Sequence, residues 1–167
     1  MKHNSISRIL TAATPMLIVC VVLALGAAAA AQDPIQGSWL LVVAPPPEAG
    51  SPFPAFSAMG SFAAGGVFLA TGENDRAVAP GSELHGSWER ILGNRYGLID
   101  YHFVFDSTGH AVGMLLDHWV LQLTSKNELA AYGNLSACDV HGENCTLLPI
   151  TGTITGKRMI VTDLPAQ

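Results

Sequence analysis

From Gln36 onward the chain is a succession of short runs of β-branched, aromatic and small apolar residues, interrupted by glycine, proline or asparagine roughly every ten to fifteen residues. Almost no stretch carries the three-to-four-residue apolar period of an amphipathic helix, so the chain reads as all-β. Strands are predicted at Gln36 to Ala44, Ala55 to Ala64, Gly66 to Ala70, Leu84 to Leu92, Tyr96 to Phe105, Ala111 to Thr124, Glu128 to Asp139 and Leu148 to Thr162, the last open to a break at Gly152 or Gly156. No segment between them looks like a crossover, which favours an antiparallel meander. About eight such strands either stack as a sandwich or close into an up-and-down barrel. Closure is the expectation, because it leaves no strand edge unpaired.

The first thirty-one residues follow another logic. Lys2, His3 and Arg8 precede an apolar stretch from Pro15 to Gly26, and small residues run from Ala27 to Ala31. That order is the order of a secretion signal, with cleavage expected between Ala31 and Gln32. A membrane anchor would need about 20 apolar residues, whereas Met16 to Ala31 supplies sixteen. Residues 32–167 then make a single domain of 136 residues, secreted or periplasmic, long enough for one core. Losing Lys2 and Arg8 takes the formal net charge from −5 to −7 with histidine neutral. Such a balance argues against nucleic acid or an anionic membrane surface as a partner. Cys20 leaves with the signal, and Cys138 and Cys145 remain in Cys-Asp-Val-His-Gly-Glu-Asn-Cys. An even number of cysteines in an exported chain is read as a disulfide. A metal site on Cys138, His141 and Cys145 would lack a fourth ligand nearby and is not expected.

Two irregular stretches, Pro45 to Pro54 with Phe53 inside it and Gly72 to Ser82, are expected at the mouths of the fold, where ligand contacts collect. The sharpest local signal is Asp106-Ser107-Thr108-Gly109-His110, a three-residue hairpin loop with glycine in the left-handed position. Counting back from a facing pair of Asp106 and His110 sets Tyr101 against Leu115, Phe103 against Gly113 and Asp100 against Leu116. On this register Ile99, Tyr101, Phe103 and Phe105 share the core face. Asp100, His102 and His118 share the outer, solvated one, where they could also form a carboxylate–imidazole pair or part of a two-histidine metal site. Asp117 points opposite to His118 and is the one interior carboxylate, its ionised form disfavoured by burial. A slip of one residue would reverse these faces.

The first strand opens with Gly37-Ser38-Trp39, and Arg158 comes late in the last. A Gly-x-Trp at the start of an eight-stranded barrel, with an arginine from the last strand packed over the indole, resembles the lipocalins and the wider calycin group. The resemblance implies that Trp39 plugs the closed end of a barrel, that Gly37 makes room for the turn, and that Arg158 caps the ring by a cation–π contact. It also implies an interior able to hold a small apolar molecule.

No nucleophile elbow, phosphate loop, dinucleotide fingerprint or zinc-protease helix motif occurs in the sequence. No cofactor and no metal are therefore expected. The leading expectation is a binding protein for a small apolar ligand, lined by Tyr101, Phe103, Leu115, Trp119 and Trp88. The alternatives are a barrel-type isomerase or cyclase using an acid such as Asp117 or Tyr101, and a filled structural barrel of the cell envelope. A second copy of the chain, as a homodimer, is left open as a partner.

Overall fold

A computed structural model describes residues 32–44, 54–73 and 81–160. Residues 1–31, read above as a secretion signal, Phe53 with most of the proline-rich stretch, residues 74–80 of the second irregular stretch and the expected end of the last strand at Thr162 lie outside the described residues. Eight strands follow one another: β1 (Gly37–Ala44), β2 (Phe56–Ala63), β3 (Val67–Gly72), β4 (Leu84–Leu92), β5 (Arg95–Phe105), β6 (Ala111–Ser125), β7 (Glu128–Cys138) and β8 (Thr146–Arg158). Each pairs antiparallel with its sequence neighbour, and β1 also pairs with β8, so the sheet closes into a barrel. The fold is thus the all-β, up-and-down barrel that the sequence implies, with strand ends displaced by a few residues at most. Among the described residues no helix is long and apolar enough to cross a membrane.

One end of the barrel is packed solid. Trp39, Ile35 and Tyr96 are completely buried there, with Phe62, Phe68 and Trp88 packed beside them. The rings of Phe62 and Phe68 are 4.8 Å apart, and Trp88 meets Phe62 and Tyr96 edge-on at 6.1 and 6.0 Å, a geometry in which ring edges meet ring faces favourably. Every polar atom this plug buries finds a partner. The Trp39 indole N–H donates to the Ile35 carbonyl at 2.9 Å, and that of Trp88 donates to the carbonyls of Ala63 and Val67, both at 3.1 Å.

The segment before β1 is clasped across this end. The Arg158 guanidinium lies 4.3 Å over the Trp39 ring and donates to the carbonyls of Gln36 at 2.6 Å, Lys126 at 3.1 Å and Pro34. Gly37 has φ +126°, a conformation that favours glycine, and a side chain there would also push on Arg158 Nη1 at 2.8 Å. Asp33 accepts from the Tyr96 hydroxyl at 2.8 Å and pairs with Arg90 at 3.0 Å, while Arg90 lies 5.5 Å from the Tyr96 ring centre. Partial burial works to raise the Asp33 carboxyl, but hydrogen bonds from the Ile35 amide, Tyr96 and Arg90 outweigh it and hold Asp33 below its ordinary value.

The β5–β6 turn has the expected form: the Asp106 amide bonds the His110 carbonyl at 2.9 Å, and Gly109 takes φ +84°. Just beyond it the ladder carries a bulge. Phe105 pairs with Ala111, but Val104 pairs with Gly113, leaving Val112 without a partner and mostly exposed. The extra residue moves the register by one from there on, so Asp100 faces Asp117, Tyr101 faces Leu116, His102 faces Leu115 and Leu98 faces Trp119. This corrects the expected pairing and, with it, the face assignment of β5. Its inner face is Tyr96, Leu98, Asp100, His102 and Val104; Ile99, Tyr101 and Phe103 point outward. The physical reason lies at the closed end, where Tyr96 and Leu98 are committed to the plug and the two-residue alternation carries their side inward along the strand.

The disulfide between Cys138 and Cys145 closes the β7–β8 connection. Asp139 organises the loop: its carboxylate accepts from the amides of His141 and Glu143, both at 2.9 Å, and from Asn144 Nδ2 at 2.7 Å. The loop folds onto the outer surface of the barrel. A methyl group on Gly142 would sit 3.6 Å from Met114 Sδ and 3.8 Å from Tyr101 Cε1, which accounts for the shelter that Tyr101 finds without entering the interior.

Candidate functional site

Beyond the plug the interior opens into a cavity of about 440 Å³, within the range of about 300 to 1,000 Å³ usual for small-molecule sites. Its walls are mainly apolar: Leu41, Phe56, Phe68, Leu98, Leu115 and Trp119 are among them, and Ala44, Pro54, Gly72 and Gly81 mark its other end. Two glycines set the shape of one wall. The Trp119 indole rests over Gly133 and Gly152, neighbours across β7 and β8; a Cβ on Gly133 would come within 2.4 Å of Trp119 Cε3, and one on Gly152 within 3.0 Å of Cη2. Any larger residue at Gly133 would drive the ring into the cavity space.

Three polar side chains enter this apolar wall together. Asp100 and Asp117 are directly opposed on β5 and β6, and His102 stands two residues along β5 on the same face. The two carboxyl groups face each other closely enough that each acts on the other's titration. His102 Nδ1 lies 3.7 Å from Asp117 Oδ2. Asp100 is only 1% exposed, and its Oδ1 has no hydrogen-bond partner among the described residues. Burial pushes the Asp117 carboxyl up to about 7, against the opposing effect of its hydrogen bond with Asp100. Burial, followed by the neighbouring Asp117 charge, also holds Asp100 well above the ordinary carboxylate range. Asp100 has room to sit there because its partner on β4 is a glycine: a Cβ on Gly86 would come within 2.6 Å of the Asp100 Cβ.

The residues singled out in the sequence divide cleanly. Leu115, Asp117 and Trp119 line the cavity. Tyr101 and Phe103, expected to line it and in the case of Tyr101 to act as an acid, lie on the outer face, Phe103 beside Phe105 with ring centres 6.2 Å apart. Trp88 is inside but belongs to the plug rather than to the cavity. Asp100 and His102, expected to be solvated, are interior, while His118, expected beside them, is exposed opposite Ile99. Gly37, Trp39 and Arg158 meet at the closed end in the arrangement described above. Asp100 and His102 were within reach of the sequence: counting inward positions forward from Tyr96 and Leu98, rather than back from the turn, places both inside.

The molecule defined by these features is a closed eight-stranded barrel, sealed at one end, with an apolar cavity that holds a two-carboxyl, one-imidazole cluster. Comparison with protein-family models, with characterised proteins and with solved structures finds no match.

Proposed function

We propose that this chain is an exported, lipocalin-like barrel that binds a small, mainly apolar molecule in its cavity, with the polar end of that molecule directed at Asp100, His102 and Asp117. The observation that carries the reading is the cavity itself: about 440 Å³ of space with a mainly apolar lining into which the Asp100, His102 and Asp117 cluster projects. Small-ligand sites combine those two properties, apolar area for affinity and a few convergent polar groups for orientation. A barrel with a purely structural role would gain stability by filling the space. Trp39 and Arg158 stand together as the lipocalin resemblance implies. The Cys138–Cys145 disulfide is compatible with an extracellular or periplasmic location.

The test is a fluorescence titration with a panel of apolar and amphiphilic probes, following the tryptophans. Trp119 lines the cavity, whereas Trp39 and Trp88 are packed in the plug, so a probe entering the cavity perturbs Trp119. Saturable one-to-one binding is expected, weakened at least about tenfold by Leu115→Trp, which fills the space without adding charge; a tenfold change corresponds to about 1.4 kcal/mol. A folded protein that responds to no probe, or a response that Leu115→Trp leaves unchanged, would contradict the reading.

A further inference from the structure

We propose that Asp100, His102 and Asp117 together hold one divalent transition-metal ion in the cavity wall. The three residues come from neighbouring strands and reach the same point because of the register. Asp100 and Asp117 are a facing pair, and His102 is the next inward residue of β5. One potential ligand atom from each lies within 4.8 Å of the other two. The 3.7 Å between His102 Nδ1 and Asp117 Oδ2 is too long for a hydrogen bond. It is close to the spacing of about 3.4 Å between two ligands that each bind a tetrahedral ion at about 2.1 Å.

The second, independent observation is the buried Asp100 Oδ1. No donor among the described residues reaches Oδ1, which lies in a mainly apolar wall on a side chain only 1% exposed. An unsatisfied buried acceptor costs roughly 1 to 3 kcal/mol, and more where the group is charged. A cation lying between the carboxylates and the imidazole offers both acids a partner at once. Its two positive charges balance the two carboxylates, so the assembled cluster is neutral and tolerable where each ion alone would not be. Arg90 and Arg158 cannot play that part, because they are occupied at the closed end with Asp33 and Trp39.

The ligand set narrows the ion. One imidazole nitrogen and two carboxylate oxygens suit zinc, iron(II), manganese or cobalt; calcium prefers oxygen alone, and copper(I) prefers sulfur. Three protein ligands leave at least one coordination position free. The same three residues line the cavity, so that position faces the space in which a small molecule would sit. The metal site stands without any organic ligand and is tested on protein stripped of small molecules and treated with a chelator.

Zinc binding is measured by calorimetry and elemental analysis, with cobalt as a second probe whose visible spectrum reports coordination geometry. The expected result is one equivalent of zinc, a rise in melting temperature as zinc is added, and cobalt bands of a low-coordinate nitrogen–oxygen site. Asp117→Asn and His102→Ala are each expected to weaken zinc at least about tenfold while keeping the wild-type circular dichroism. Asp100→Asn serves as a third variant should either of these fail to fold. Folded wild-type protein that binds no zinc overturns the proposal. So does zinc binding that persists undiminished in His102→Ala and Asp117→Asn, which would assign it to surface residues such as His85, His110 or His141.

Discussion

Replacing Arg158 by lysine keeps the charge and most of the side-chain length but removes the planar fork. In the native barrel the guanidinium donates to three carbonyls, those of Gln36, Lys126 and Pro34, and covers the Trp39 ring at 4.3 Å. A lysine ammonium can reach one of those carbonyls without abandoning the ring. The two lost hydrogen bonds involve a charged donor at a partly exposed site and are worth about 1 kcal/mol each; the weaker ring contact adds about 0.5 kcal/mol. The expected loss is therefore about 2 to 3 kcal/mol, a large share of the roughly 5 to 15 kcal/mol that stabilises an ordinary domain. Urea unfolding followed by tryptophan fluorescence should show a lower midpoint with an unchanged slope, because the surface exposed on unfolding stays the same. Trp39 should also gain solvent exposure in the native state, visible as a red-shifted emission. A loss below about 0.5 kcal/mol with unshifted emission would refute the view that this clasp seals the barrel.

Gly152→Ala brings a methyl group to 3.0 Å from Trp119 Cη2, so it should cost less than about 1 kcal/mol yet displace the indole and weaken probe binding in the cavity, as a fluorescence titration would register. Gly133→Ala meets both the Trp119 ring and the His118 carbonyl, the latter at 2.2 Å; backbone cannot yield cheaply, and chemical denaturation should show a loss of about 3 kcal/mol or failure to fold. Asp33 is held below its ordinary value, so the folded state takes up its proton less readily than the unfolded chain. Its contribution is present above the unfolded value of about 4 and is lost as pH falls through the lowered one. Wild type should accordingly lose more stability than Asp33→Asn between pH 6 and pH 2.5 in urea titrations. Reducing the disulfide, or the pair Cys138→Ser with Cys145→Ser, should cost about 2 to 3 kcal/mol for so short a loop and leave the far-ultraviolet spectrum of the barrel in place.

Strand number, order and closure were legible in the sequence because they follow from coarse periodicity and short turns, which few alternative folds satisfy together. Leu115, Asp117 and Trp119 were assigned to the interior and line the cavity, and Trp39 was placed at the closed end by the Gly-x-Trp opening and is buried there. The face of β5 was not legible, for two physical reasons. Val112 is a bulge, and one unpaired residue reverses every pairing counted back from a turn. Tyr101 and Phe103 also look like core by hydrophobicity. In the fold Tyr101 lies under the disulfide loop and Phe103 stands beside Phe105, an outer cover that only tertiary structure supplies. Asp100 and His102 were consequently assigned to solvent, and the cluster they form with Asp117 depends on a register that local sequence did not fix. The glycines at 86, 133 and 152 also became meaningful only when the atoms opposite them were known.

Native mass spectrometry of the purified protein, before and after extraction with organic solvent, tests the central claim most directly. The wild-type protein is expected to retain or take up one apolar small molecule per chain, to lose it on extraction and to recover it when the extract is returned, whereas Leu115→Trp remains empty throughout. A wild-type protein that stays at the mass of the bare polypeptide, whatever apolar compound is offered, would contradict a ligand cavity in this barrel.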